Sequence, residues 1–103
     1  MSVKLTVIYD NPTDPAAFEA HYTAVHVPLA GKVAGVKRAE LAKVFAKEDG
    51  SPTPAYRTAD LYFDDYESAC AAIATPEAQA LIGDALHLGT GGVKFLLSDI
   101  EHS

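Results

Sequence analysis

The chain carries a single cysteine, Cys70, and no tryptophan. One thiol excludes an internal disulfide and any metal site built from cysteines. Basic residues are scarce too: eight lysines and arginines stand against fourteen acidic residues, for a net charge of −6. That balance argues against nonspecific nucleic-acid binding, which needs a basic surface. No apolar run approaches the roughly 18 residues that span a bilayer, so no membrane partner is expected. The opening MSVKLTVIYD has a short apolar run and no small-residue cleavage site after it, unlike a signal peptide. The expectation is a cytoplasmic protein. Repeats, low-complexity tracts and interdomain linkers are also missing. Residues 1–103 therefore read as one domain.

What the sequence does contain is the profile of a folded protein, 49% apolar and 21% charged. Residues 3–9, VKLTVIY, alternate and are β-branched, which predicts a strand. Asp14 and Pro15 then open a helix, as an amide-capping side chain and a first-turn proline. Residues 36–47 predict a second strand and 56–63 a third, joined by the turn-rich EDGSPTPA. Asp64 or Asp65 caps a second helix, YESACAAIA, and Thr75–Pro76 restarts it as PEAQALIGDAL. Cys70 falls on its expected inner face as a small buried hydrophobe. After GTGG, residues 93–97 predict a last strand. That glycine run is no phosphate cradle, because a strand and not a helix follows it.

The order β-α-β-β-α-β is the split βαβ pattern of a ferredoxin-like α+β fold, a four-stranded antiparallel sheet with helices on one face. Val7–Ile8–Tyr9, Leu61–Tyr62–Phe63 and Phe95–Leu96–Leu97 are consecutive apolar triplets. Neighbours in a strand point to opposite faces, so both faces are expected to be apolar. An uncovered apolar face marks an interface, which predicts a homodimer through the sheet face. Lys32, Lys37, Arg38, Lys43 and Lys47 cluster around the second strand. They suit a solvated edge strand, with an anionic ligand as the alternative.

The stretch FEAHYTAVHVPLAG, residues 18–31, carries the candidate chemistry. On a regular helix Phe18, Tyr22, Val25 and Leu29 fall within about 60° and form the buried stripe. His26 lies four residues after Tyr22, along its edge. His21 and His26 fall about 140° apart, so they do not make a helical metal pair, and no metal site is expected. Pro28 should kink or end the helix just past His26. The residues alone leave His26 with two readings: a helix-edge histidine satisfied by a carbonyl or Tyr22, which they favour, or a group for acid–base work. His21 reads as a surface residue, and His87 as a cap of the last helix or a pocket residue. His102 sits in a polar tail.

Together Phe18, His21, Tyr22, His26, Pro28 and Leu29, with TGGVKFLLSDIE at the end, resemble the EthD family, named for ethyl tert-butyl ether degradation. The resemblance implies a dimeric α+β barrel of ferredoxin-like subunits, with His26 and Tyr22 as site residues. Three functions follow. The first is a small enzyme without cofactor, acting on an apolar oxygenated molecule with His26 as general acid or base and Tyr22 orienting it. The second is a noncatalytic binding or accessory protein for an oxygenase. The third is haem binding or degradation, against which the lack of tryptophan counts. Either of the first two would use an apolar pocket expected to be lined by Tyr22, Leu29, Phe45 and Tyr62, with His87 as a further candidate.

Overall fold

The computed structural model describes residues 2–103. Four strands form one open antiparallel sheet in the order β2-β3-β1-β4, with β1 Val3–Tyr9, β2 Arg38–Lys43, β3 Arg57–Phe63 and β4 Val93–Asp99. Three helices cover one face. The first runs continuously through the segments Pro15–His21, Tyr22–His26 and Val27–Ala30. The second is Tyr66–Ile73 and the third Pro76–Leu88. This is the ferredoxin-like arrangement. The caps are those the sequence implies: Asp14 accepts from the Ala17 amide, Asp65 from Ser68 and Thr75 from Ala78.

Strand register explains the core. Leu41, Ala59, Val7 and Phe95 form one row on the helix side, and Ala39, Leu61, Leu5 and Leu97 the next. Tyr9 and Phe63 are almost wholly enclosed, and Phe18 and Tyr22 pack edge-on against Tyr9 from the first helix. Each such side chain stabilises the fold by about 1.5–3 kcal/mol.

The helix-free face differs from expectation. Its rows are Arg38–Tyr62–Lys4–Ser98, Glu40–Asp60–Thr6–Leu96 and Ala42–Thr58–Ile8–Lys94. Each apolar triplet sends one residue there and two to the helices, so Ile8, Tyr62 and Leu96 stand among polar neighbours. Tyr62 donates to Glu40 and lies under the Arg38 guanidinium, while Thr6 donates to Asp60. The face is mixed and mainly polar, not an apolar sheet.

Three local expectations also change. Strand β2 is shorter than residues 36–47 and wholly exposed at the sheet edge. Its cations alternate between faces, Arg38 toward Glu40 and Lys43 toward Glu19, which leaves no convergent anion site. Cys70 is exposed, and Ala69 and Ala72 take the inner positions. GTGG serves backbone approach: a Cβ on Gly91 would lie 2.0 Å from the Asn11 carbonyl oxygen. Gly92, at φ +113°, accepts from the Asp10 amide through its carbonyl.

Candidate functional site

The first helix does not end after His26. Residues Tyr22–His26 form a π-helical turn in which the Val27 amide donates to the Tyr22 carbonyl five residues back. Such widened turns recur at functional sites. Here the turn lets the chain pass Pro28, which has no amide to donate, and α-helix resumes with Gly31 bonding Val27. The widening resets the helical phase. Val25 turns outward, to 40% exposure, and His26 turns inward, to 7%. The buried stripe is therefore Phe18, Tyr22 and His26. Residues five apart now stand one turn apart, so His21 and His26 share a side. The expectation that they diverge is overturned.

Both imidazoles meet one carboxylate. Asp84, from the third helix, lies with Oδ1 2.7 Å from His21 Nε2 and Oδ2 2.8 Å from His26 Nδ1. Burial pushes Asp84 toward its acid form, but the bonds from His21 and His26 outweigh it and hold the carboxyl below its ordinary range. An ionised carboxylate only accepts, so both ring nitrogens donate to it. In neutral His26 that places the proton on Nδ1 and leaves Nε2 as an acceptor. The Tyr9 hydroxyl, 2.8 Å away, donates to Nε2. Tyr9 comes from the end of β1, and burial, with Tyr22 and Asp84 adding to it, pushes its phenol well above the usual range. It stays protonated.

Tyr22 stacks between Phe18 and His26, with ring centroids 5.6 and 5.4 Å away. The Arg57 guanidinium lies 4.7 Å from its ring centroid. Arg57 is held by a two-pronged bond to Glu19, at 2.8 and 2.6 Å, which lowers the Glu19 carboxyl. Burial raises the Tyr22 phenol despite Arg57. Its hydroxyl is buried without a hydrogen-bond partner, alone in this among the described residues.

Tyr9, Tyr22 and His26 line a cleft between the sheet and the first and third helices, otherwise walled by residues such as Leu5, Leu61, Leu81 and Phe95. The cleft and the open space at its mouth together take in about 450 Å³. It is a narrow apolar slot with three polar groups at one end. His26 has both nitrogens engaged, Nδ1 with Asp84 and Nε2 with Tyr9. No three-residue metal cluster occurs among the described residues.

The other expected pocket residues lie elsewhere. Phe45 is 93% exposed beyond β2, and Tyr62 is on the opposite face of the sheet. Leu29 packs against the core without lining the slot. His87 borders a separate depression beside His21, 5.7 Å between rings. Sequence reading missed Tyr9, Asp84 and Arg57 as neighbours of His26 and Tyr22. Tyr9 read as a strand residue, and Asp84 had no motif of its own.

Fold and site define a class: a ferredoxin-like α+β subunit with an apolar slot and a tyrosine–histidine–aspartate chain beneath its helices. Residues 10–87 match the EthD domain, and the chain belongs to the EthD family. It is 41% identical over 98 residues to an uncharacterized 11.0 kDa protein from the thcB-thcC intergenic region of Rhodococcus erythropolis, covering 95% of this chain and 94% of that one. Among solved structures it resembles an EthD-family protein of Bacillus halodurans (29% identity, TM-score 0.88, 96% and 98% covered). More distant chains share the fold alone. One is SnoaB, a cofactor-independent oxygenase of Streptomyces nogalater (17%, TM-score 0.69, 99% and 95% covered). Another is a dimeric ferredoxin-like protein of Bacteroides fragilis (14%, TM-score 0.67, 95% of each chain).

Proposed function

We propose that the slot binds a small, uncharged, mainly apolar molecule bearing an oxygen acceptor, and that His26 handles a proton beside it. The observation that carries this is the Tyr22 hydroxyl, a buried donor without a partner on a residue that lines the apolar slot. Leaving such a group unsatisfied costs about 1–3 kcal/mol, a cost that a ligand oxygen would remove. No lysine, arginine, aspartate or glutamate lines the slot among the described residues, which favours a molecule that arrives uncharged. That a cofactor-independent oxygenase shares the fold is consistent with catalysis but does not assign it. We further propose that two copies pair through their helix-free faces. A chain this small gains from a second surface, and the fold occurs in a protein described as dimeric.

The test is a thermal-shift screen of small ketones, ethers and phenols against carboxylate analogues. Uncharged oxygen-bearing molecules should raise the melting temperature. Tyr22→Phe should weaken their affinity about tenfold, the loss of one good hydrogen bond. If only anions stabilise the protein, or nothing does, the reading fails. His26→Gln separates enzyme from binder: affinity kept within a few-fold with turnover lost marks catalysis.

A further inference from the structure

We infer that Tyr9 is the residue that exchanges a proton with a bound molecule, with His26 as its base and Asp84 as the positioning residue behind both. This rests on the slot being the ligand site, and it changes which side chain meets the ligand. His26 cannot do so as it stands, because Nδ1 is committed to Asp84 and Nε2 to Tyr9. Tyr9 can, since it also lines the slot and its oxygen, while donating to His26, keeps a lone pair with which to accept. Burial keeps its phenol protonated, which suits a relay and not a resident phenolate.

The transfer balances without a co-reactant. As a weak acid X–H in the slot gives its proton to the Tyr9 oxygen, the Tyr9 O–H bond breaks and a new N–H bond forms at His26 Nε2. The products are X⁻ and an imidazolium. Nδ1–H of that imidazolium remains on the Asp84 carboxylate, which balances its charge. His21, the second donor to Asp84, keeps the carboxylate aimed. The buried donor of Tyr22 is available to the new anion. The molecules this favours are therefore neutral oxygen or carbon acids, such as phenols, over molecules that arrive ionised.

The probe is 4-nitrophenol, whose neutral and ionised forms absorb at different wavelengths. At a pH where the free probe is mostly neutral, wild-type protein should bind it with the phenolate band. Tyr9→Phe should bind it saturably but more weakly and lose that band, because the gap left by the missing hydroxyl keeps the freed His26 Nε2 out of reach of the probe. Asp84→Asn should reduce it. If Tyr9→Phe retains the phenolate band, His26 acts directly and the inference falls while the slot reading stands. If wild-type shows no saturable binding, both fall. Should Tyr9→Phe not fold, ¹⁵N-histidine NMR of wild-type decides. The His26 Nε2 signal should move from its lone-pair to its N–H position on saturation with the probe, and a signal that stays put overturns the relay.

Discussion

Asp84 shows how much one side chain contributes here. Its carboxyl is held below the ordinary value of about 3.9. A carboxyl depressed in the folded state contributes stability above its unfolded pKa and loses it as pH falls through the folded value. Asp84→Asn should therefore flatten the acid limb of the stability curve below about pH 4. Near neutrality it should cost about 1–3 kcal/mol, since one imidazole N–H then faces an amide N–H₂. Urea unfolding at a series of pH values measures both. Tyr22→Phe should do the reverse in the ligand-free protein and leave stability equal or raised by up to about 1 kcal/mol, because the hydroxyl it removes has no partner. That Tyr22 and His26 are neighbours was legible in their four-residue spacing, whereas their candidacy as site residues came from the family resemblance. Asp84 was not legible, since it stands 58 residues from His26 and is brought there only by helix packing.

At the scale of elements, strands and caps could be read closely because alternation and capping are local. The π turn could not, because spacing arguments assume a constant pitch. The turn and Pro28 depend on one another. The turn carries one residue more than an α-helical turn would, and the proline makes the α-helical bond impossible. Deleting Ala24, which is exposed, would restore regular pitch and set Pro28 against a carbonyl four residues back, at about 3 kcal/mol. Deletion combined with Pro28→Ala should recover most of that loss, a non-additivity that denaturant unfolding of the three variants would reveal. Two glycines offer a matched contrast. Gly91→Ala drives a Cβ into the Asn11 backbone and should cost about 1–3 kcal/mol or more. Gly83→Ala, in the third helix with open space around it, should gain about 1 kcal/mol.

For the whole molecule, the order of elements sufficed for the ferredoxin-like fold, but the character of the free sheet face needed the register. Counting apolar triplets could not say which members face the helices. The observed face holds Lys4, Arg38 and Lys94 against Glu40 and Asp60, around a few apolar residues. A dimer built on it should weaken as salt rises toward about 1 M, where charges are screened within about 3 Å. Sedimentation velocity at low and high salt checks this, and an association strengthened by salt would contradict it. A seam of that kind is held by many small polar contacts that water can replace one at a time. Subunits should then trade places freely, and two tagged populations mixed in equal amounts should equilibrate into hybrids while each slot remains intact.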